Sequence, residues 1–372
     1  MKRKRIVYIV TSLKNCGPIH QLYHLINHLS KEMFEIIVIT AFQEGPNSKY
    51  HDFLDLGIEI KSLQLHRRNF IKTRKKLIAT VKSLQPDLIH TSSIRTDYWS
   101  ARYFKNYCRM TTVHSNLEED YRWTYGFFLG KLLTHIHRRI LLKIPYRIAC
   151  SNSVALKLKE KLKIDAHVIR NGIDIHHFAV SSSQEKKKLR EILNLAVDKK
   201  LFVFSGSLSK LKNPLLLIQA FQRAQISDKA CLVFLGKGPL LEDMRQLAVE
   251  GIWVMGHVQN VSDYLKAADV LVSASHTEGM PLSVLEAMAS GLPVLLSHIP
   301  PHEEIMGDAD VGNLFDLEDI GELAGYFRQY VYCDVSQKGI YARERIEKEF
   351  CADRMGHEYE EFYRKILDCP KS

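Results

Sequence analysis

Short apolar runs rich in β-branched residues alternate along this chain with longer stretches whose apolar positions recur every three to four residues. Such alternation marks a parallel sheet covered by helices, because doubly buried strands are apolar throughout while each helix buries one stripe. In the first half the runs fall at 6–10, 35–40, 88–90, 111–114, 147–150 and 167–170, with helical period at 19–29, 71–84, 98–107, 126–142 and 153–161. After Asn171-Gly172-Ile173-Asp174 comes SSSQEKKKLREIL, a serine run followed by charge that reads as a domain junction entering a helix. A second series follows, with strands at 201–205, 231–236, 252–255, 270–273 and 294–296 and helices beginning near 213, 240, 261, 281 and 318. The tail carries Phe350, Met355, Tyr359, Phe362, Tyr363 and Ile366, an apolar set that suits docked helices.

The expected fold is therefore α/β, with two Rossmann-like domains facing across a cleft and ligands at the carboxyl ends of the strands. Domain limits are expected at 1–178 and 179–350, with 351–372 a C-terminal helix packing back on the N-terminal domain.

Composition narrows the class. At 372 residues, 46% hydrophobic and 25% charged, the chain has ample material for two soluble cores. No apolar run approaches the ~18 residues that span a bilayer, and MKRKRIVYIV leads into a β-rich run rather than a signal peptide, so a cytoplasmic location is expected. The seven cysteines are scattered without a CxxC pair, which argues against a disulfide framework and a zinc site. The net charge of +10 is uneven: residues 1–180 hold 30 Lys and Arg against 14 Asp and Glu, the remainder 22 against 28. A basic first half favours an anionic partner, whether nucleic acid, a membrane face or a phosphorylated substrate.

The stretch HTEGMPLSVLEAMASGLPV, 276–294, places two glutamates eight positions apart. Eight helical steps would separate them by roughly 12 Å, beyond the ~5 to 9.5 Å of a hydrolytic carboxylate pair. Pro281 suits a helix start and Gly291 with Pro293 its end, so Glu278 is expected in the preceding loop and Glu286 on the helix. A helix start binds phosphate, so the backbone from Gly279 through Met280, Pro281 and Leu282 to Ser283 is a candidate diphosphate site. Glu286 would then accept from ribose hydroxyls and Glu278 from a sugar, the order of parts in a nucleotide sugar.

EGMPLSVLEAMASGLPV resembles the E-x7-E signature of retaining glycosyltransferase family 4, a group with the two-Rossmann GT-B fold. VIRNGID (168–174), FSGSLSKLKNP (204–214), FLGKGPLLEDM (234–244) and VMGHVQNVSDYLKAADVLVSAS (254–275) are similar to further segments of that family, as are residues 11–18 and TTVHSN (111–116). The resemblance implies that Lys212 is the phosphate lysine, with Ser207 standing at the family's usual arginine position and Lys210 or an amide-lined loop supplying the missing charge. It implies a nucleotide contact at the turn containing Gly236, and matches Gly17 to one of two family glycines. It also implies that His114, at the end of TTVH, contacts the donor sugar or transition state. Catalysis would then rest on Glu278, His114 and Lys212.

No DxD metal motif lies near these elements, Asp308-Ala309-Asp310 being the nearest match, so no metal is expected and the nucleotide sugar is substrate rather than cofactor. The segment 126–147 mixes Phe, Leu and Ile with Lys131, Arg138, Arg139, Lys143 and Arg147, a composition that suits an anionic membrane surface or a core. The expected function is retaining sugar transfer to a glycan or lipid-linked acceptor, in bacterial surface-polysaccharide synthesis, with peripheral attachment to the anionic inner membrane and no nucleic-acid partner. A nucleotide-sugar 2-epimerase of the same fold and a non-enzymatic anionic-surface binder are the alternatives.

Overall fold

The computed structural model describes residues 3–65 and 70–368. It divides into two units, Met1–Gly172 with Ala352–Ser372, and Ile173–Cys351. The first runs β1 (Lys4–Val10), α1 (Gly17–His28), β2 (Phe34–Phe42), α2 (Tyr50–Asp55), β3 (Glu59–Leu65), α3 (Phe70–Leu84), β4 (Leu88–Thr91), α4 (Ile94–Tyr103), β5 (Cys108–Val113), α5 (Leu117–Tyr125), α6 (Phe127–Leu141), β6 (Tyr146–Ala149), α7 (Asn152–Leu162) and β7 (His167–Val168). Its strands form one parallel sheet in the order β3-β2-β1-β4-β5-β6-β7. Alternate residues of β1 serve the two faces: Ile6, Tyr8 and Val10 join one buried cluster, Val7 and Ile9 another.

The second unit runs α8 (Ser183–Ile192), β8 (Lys200–Ser205), α9 (Pro214–Ala224), β9 (Ala230–Leu235), α10 (Leu241–Leu247), β10 (Ile252–Gly256), α11 (Val261–Ala267), β11 (Val270–Ser273), α12 (Leu282–Ala289), β12 (Val294–Ser297), α13 (Pro300–Met306), β13 (Gly312–Phe315), α14 (Ile320–Tyr332) and α15 (Ser336–Glu349). Its parallel sheet is ordered β10-β9-β8-β11-β12-β13, the same winding as the first six strands of the other unit. Residues 173–178 fold with it: Ile173 N–H donates to the Phe350 carbonyl, and Arg343 donates to the carbonyls of Ile175 and Phe178.

The apolar runs mark all the interior strands and also the edge strands β7 and β10, whereas β3 and β13 give no such run. Both are edge strands, in which only Leu63 and Phe315 are buried, so their sequences read as mixed. Helix α4 begins at Ile94 rather than near 98 because Ser93 and Thr96 form a reciprocal capping box. Helix α5, absent from the periodicity reading, starts with Glu118, Glu119 and Asp120, charges that favour a helix N-terminus.

The tail returns as α16 (Ala352–Asp368) to the first unit. A Cβ at Gly356 would stand 2.8 Å from the His28 carbonyl oxygen, so glycine permits the close crossing of α16 over α1. Tyr359 and Tyr363, both fully buried, tie the helix to the sheet. The Tyr363 hydroxyl meets Tyr8 Oη at 2.7 Å and His90 Nδ1 at 2.9 Å. His90 Nε2 meets Thr112 Oγ1 at 2.8 Å, and Thr112 meets the Tyr359 hydroxyl at 2.9 Å. Among the described residues no helix is long and apolar enough to cross a membrane.

Candidate functional site

In a doubly wound sheet the chain leaves the two central strands toward opposite faces, so the loops at their carboxyl ends part and open a crevice. In the second unit those strands are β8 and β11, and the loops are residues 206–213 and 274–281.

The loop after β8 is held by its backbone. Gly206 N–H donates to the Leu235 carbonyl (3.0 Å), Leu208 N–H to that of Lys237 (3.1 Å), and Leu240 N–H to that of Leu208 (3.0 Å). The two chains lie so close that a Cβ at Gly236, where φ is 148°, would sit 1.8 Å from the Gly206 carbonyl oxygen. Gly236 is thus demanded by loop packing, whatever else it touches. Asn213 takes a left-handed conformation before Pro214 opens α9, which turns the chain sharply after Lys212.

Lys212 Nζ forms an ion pair with Glu278 Oε1 from the loop after β11. Backbone joins the loops as well, His276 N–H donating to the Leu211 carbonyl at 2.9 Å. The Ser275 hydroxyl donates to Glu278 Oε1 at 2.7 Å, and only 10% of the Glu278 side chain is exposed. Burial by itself pushes the Glu278 carboxyl up. The charge and hydrogen bond of Lys212, with smaller help from His302 and Ser275, outweigh it and leave the group below the ordinary carboxylate value.

Periodicity and motif spacing missed His302, which is fully buried on α13 beside this pair. Its Nδ1–H donates to the Ser297 carbonyl at 2.8 Å, and the Ser297 hydroxyl donates to the Ser275 carbonyl at 2.7 Å. Nε2 is buried with no hydrogen-bond partner among the described residues. Burial lowers the imidazole to about 4 against the opposing charge of Glu278, so the ring is neutral at pH 7. In the sequence it is one histidine of 17, and only the packing of α13 distinguishes it.

Glu286 lies on α12 and is 9% exposed, so it is not a solvated surface group. Pro281 stands just before the helix, which starts at Leu282, and no side chain bonds to that start. Val284 N–H is the first amide to find a carbonyl within the turn, at Pro281, so Leu282 and Ser283 precede the helical ladder. Gly279 and Met280 are buried beside this turn, while Ser207 and Lys210 are exposed on the loop after β8. The structure thus brings Lys212, Glu278, Ser275 and His302 together in the second unit, with Gly236 holding the loop and Gly279 to Ser283 leading into α12. Among the described residues no three His, Cys, Asp or Glu side chains cluster as metal ligands do, and Asp310 pairs with Lys338.

Gly17 and His114 belong to the first unit, at the carboxyl ends of β1 and β5. Gly17 opens α1, and a Cβ there would meet nothing within 4 Å, so no neighbouring protein atom demands glycine. Burial lowers His114 to about 4 despite the nearby Asp97 charge, which keeps this ring neutral too.

Two family models cover most of the chain: Glycosyltransferase Family 4 over residues 20–177 and Glycosyl transferases group 1 over 185–346. The Escherichia coli UDP-Gal:alpha-D-GlcNAc-diphosphoundecaprenol alpha-1,3-galactosyltransferase is 29% identical over 318 residues, 78% of this chain and 79% of that one. The putative teichuronic acid biosynthesis glycosyltransferase TuaC of Bacillus subtilis is 30% identical over 258 residues, 67% of this chain and 62% of TuaC. Among solved structures, HepE from Anabaena in complex with UDP-glucose matches 97% of this chain and 99% of its own, with a TM-score of 0.84 at 16% identity. That likeness is one of fold, the GT-B pair of Rossmann-like domains. The matched families favour sugar transfer over epimerisation and over a purely binding role. With a Family 4 domain in its first unit and a group 1 domain in its second, the chain belongs to the glycosyltransferases.

Proposed function

We propose that this glycosyltransferase moves a sugar from a nucleoside-diphosphate donor to a hydroxyl of a lipid-linked glycan, with retention, at the anionic cytoplasmic face of a bacterial membrane. The product would be part of a surface polysaccharide. The observation that carries this reading is the largely buried Lys212–Glu278 pair at the switch point between β8 and β11, beside the start of α12, to which no side chain bonds. A diphosphate placed there meets the Lys212 ammonium and the backbone from Gly279 to Ser283, with Lys210 and the loop at Ser207 on its outer side. As the diphosphate takes the charge of Lys212, Glu278 is released to accept from hydroxyls of the sugar. Glu286 accepts from the ribose, and neutral His114 contacts the transferred sugar.

In this scheme the bond from the anomeric carbon to the β-phosphate oxygen breaks while the acceptor oxygen bonds to that carbon on the same face. The acceptor's proton passes to the departing phosphate oxygen. Lys212 and the helix amides carry the electrostatic load that a divalent cation would otherwise carry, so the scheme needs no resident metal. Two further facts support the reading. The name of the E. coli relative specifies a UDP-linked donor and a diphosphoundecaprenol-linked acceptor, and HepE binds UDP-glucose. The excess of 30 basic over 14 acidic residues in positions 1–180 suits an anionic acceptor.

The test incubates the protein with UDP-, GDP- and ADP-sugars and a lipid-diphosphate glycan, and reads nucleotide release and the anomeric configuration of the product. Glu278→Gln is expected to slow release by about 10³-fold. Undiminished release would remove Glu278 from the reaction, and an inverted product would reject retention.

A further inference from the structure

The corner between α5 and α6 exposes eight consecutive residues, 122–129. Among them Phe128 is 86% exposed and Phe127 58%, with Trp123 and Tyr125 beside them in sequence. Leu132 and Ile136, one and two turns further along α6, are also exposed. The crown is built rather than loose. Gly126, at φ 81°, ends one helix and begins the next in a single residue that L side chains resist. A Cβ at Gly130 would stand 2.8 Å from the Arg122 backbone, so the helices cross in close contact. On the opposite face of α6, His137 Nε2 donates to the buried Asp97 carboxylate at 2.9 Å, while Nδ1 lies 2.8 Å from the Tyr121 hydroxyl. Asp97 also accepts from the hydroxyls of Thr91 and Thr111.

Charge decides what covers this crown. From Tyr121 to Lys159 the sequence has eight Lys or Arg and no Asp or Glu. The acids of α5 are confined to its first turn, where Glu119 lies 3.6 Å from Lys157 and Asp120 accepts from Ser115. A second copy docked here about a two-fold axis would set cation against cation. Nucleic acid would leave Leu132 and Ile136 without an apolar partner. An anionic bilayer meets both needs, since aromatic and aliphatic groups enter the headgroup boundary while Arg122, Lys131 and Arg139 remain among phosphates.

We infer that the α5–α6 corner is the surface by which this protein docks on an anionic lipid bilayer. It rests on the lipid-linked acceptor reading above and gives it a physical location: α5 begins four residues after β5, and His114 lies between them.

The full chain is sedimented with vesicles of phosphatidylglycerol and phosphatidylcholine, and with phosphatidylcholine alone. Binding to the anionic vesicles, weakened by salt, is expected, with a loss of about tenfold or more in the Phe128→Glu/Leu132→Glu variant. Both side chains are exposed, so the variant should fold, and its melting temperature should still rise with nucleoside diphosphate. A parent protein that stays in solution, or a variant that sediments as well as the parent, overturns the inference. So does a concentration-dependent dimer of the parent that the same substitutions abolish. Nucleotide release onto a detergent-solubilised acceptor scores the transfer reading separately, because loss of transfer with intact vesicle binding would sink that reading and leave the surface standing.

Discussion

In the first unit the buried polar chain Tyr8–Tyr363–His90–Thr112–Tyr359 is uncharged, each member bonded to the next across β1, β4, β5 and α16. In the second, the polar centre is a largely buried ion pair, Lys212–Glu278, beside an imidazole nitrogen that has no hydrogen-bond partner among the described residues. A closed neutral network keeps no capacity in reserve, so it fastens a helix to a sheet and does little else. A largely buried pair beside an uncapped helix start is costly to maintain, yet either charge can exchange its partner for a ligand group. The difference separates scaffold from site.

The sharpest way to break this contrast is Lys212→Met. Without the ammonium, burial dominates and drives the Glu278 carboxyl above its ordinary value. We expect a loss of about 3 kcal/mol in unfolding free energy at neutral pH, together with loss of thermal stabilisation by nucleoside diphosphate. A variant as stable and as responsive to nucleotide as the parent would erase the distinction.

Tyr363→Phe probes the other side. It strips a partner from Tyr8 and from His90 in a dry interior, which should cost about 2 kcal/mol in denaturant melts while leaving the nucleotide response intact. If the nucleotide response vanished instead, the neutral network would have to be counted as part of the site.

Per pH unit, the most gradual effect is a pH dependence. His302 has a folded value of about 4 against 6.5 for the free side chain, so between those values the unfolded chain takes a proton that the folded one refuses. Stability therefore falls as pH drops through that window, by at most ~1.4 kcal/mol per pH unit from this residue. His114, at about 4, and His90, at about 3, add slopes of the same sign from the first unit. Glu278, whose value is lowered, keeps its contribution above the free carboxylate range and loses it only below. His302→Asn should flatten the decline between pH 6.5 and 4, and an unchanged slope in thermal melts would deny that the ring is buried neutral.

Much of the fold was legible because its signals are local. Interior strands such as β1, β8 and β11 are apolar on both faces and announce themselves, whereas β3 and β13 bury one residue each and do not. The start of α4 escaped the periodicity because its capping box, Ser93 with Thr96, outweighed the apolar spacing downstream. In the site, the turn before α12 was foreshadowed by Pro281, and the loop position of Glu278 followed from it. His302 was not, since a histidine after two prolines carries no signal of what its helix packs against.

The linear order of residues determined the α/β alternation, the two-unit plan, the glutamates on either side of a helix start and the basic first half, all of which depend on neighbours within a few positions. Tertiary structure alone decided that Lys212 meets Glu278 across 66 residues, that Tyr363 meets Tyr8 across 355, and that His302 is buried beside the Lys212–Glu278 pair. Strand order and helix docking bring such groups together, and they arise from burying whole faces at once rather than from any local pattern.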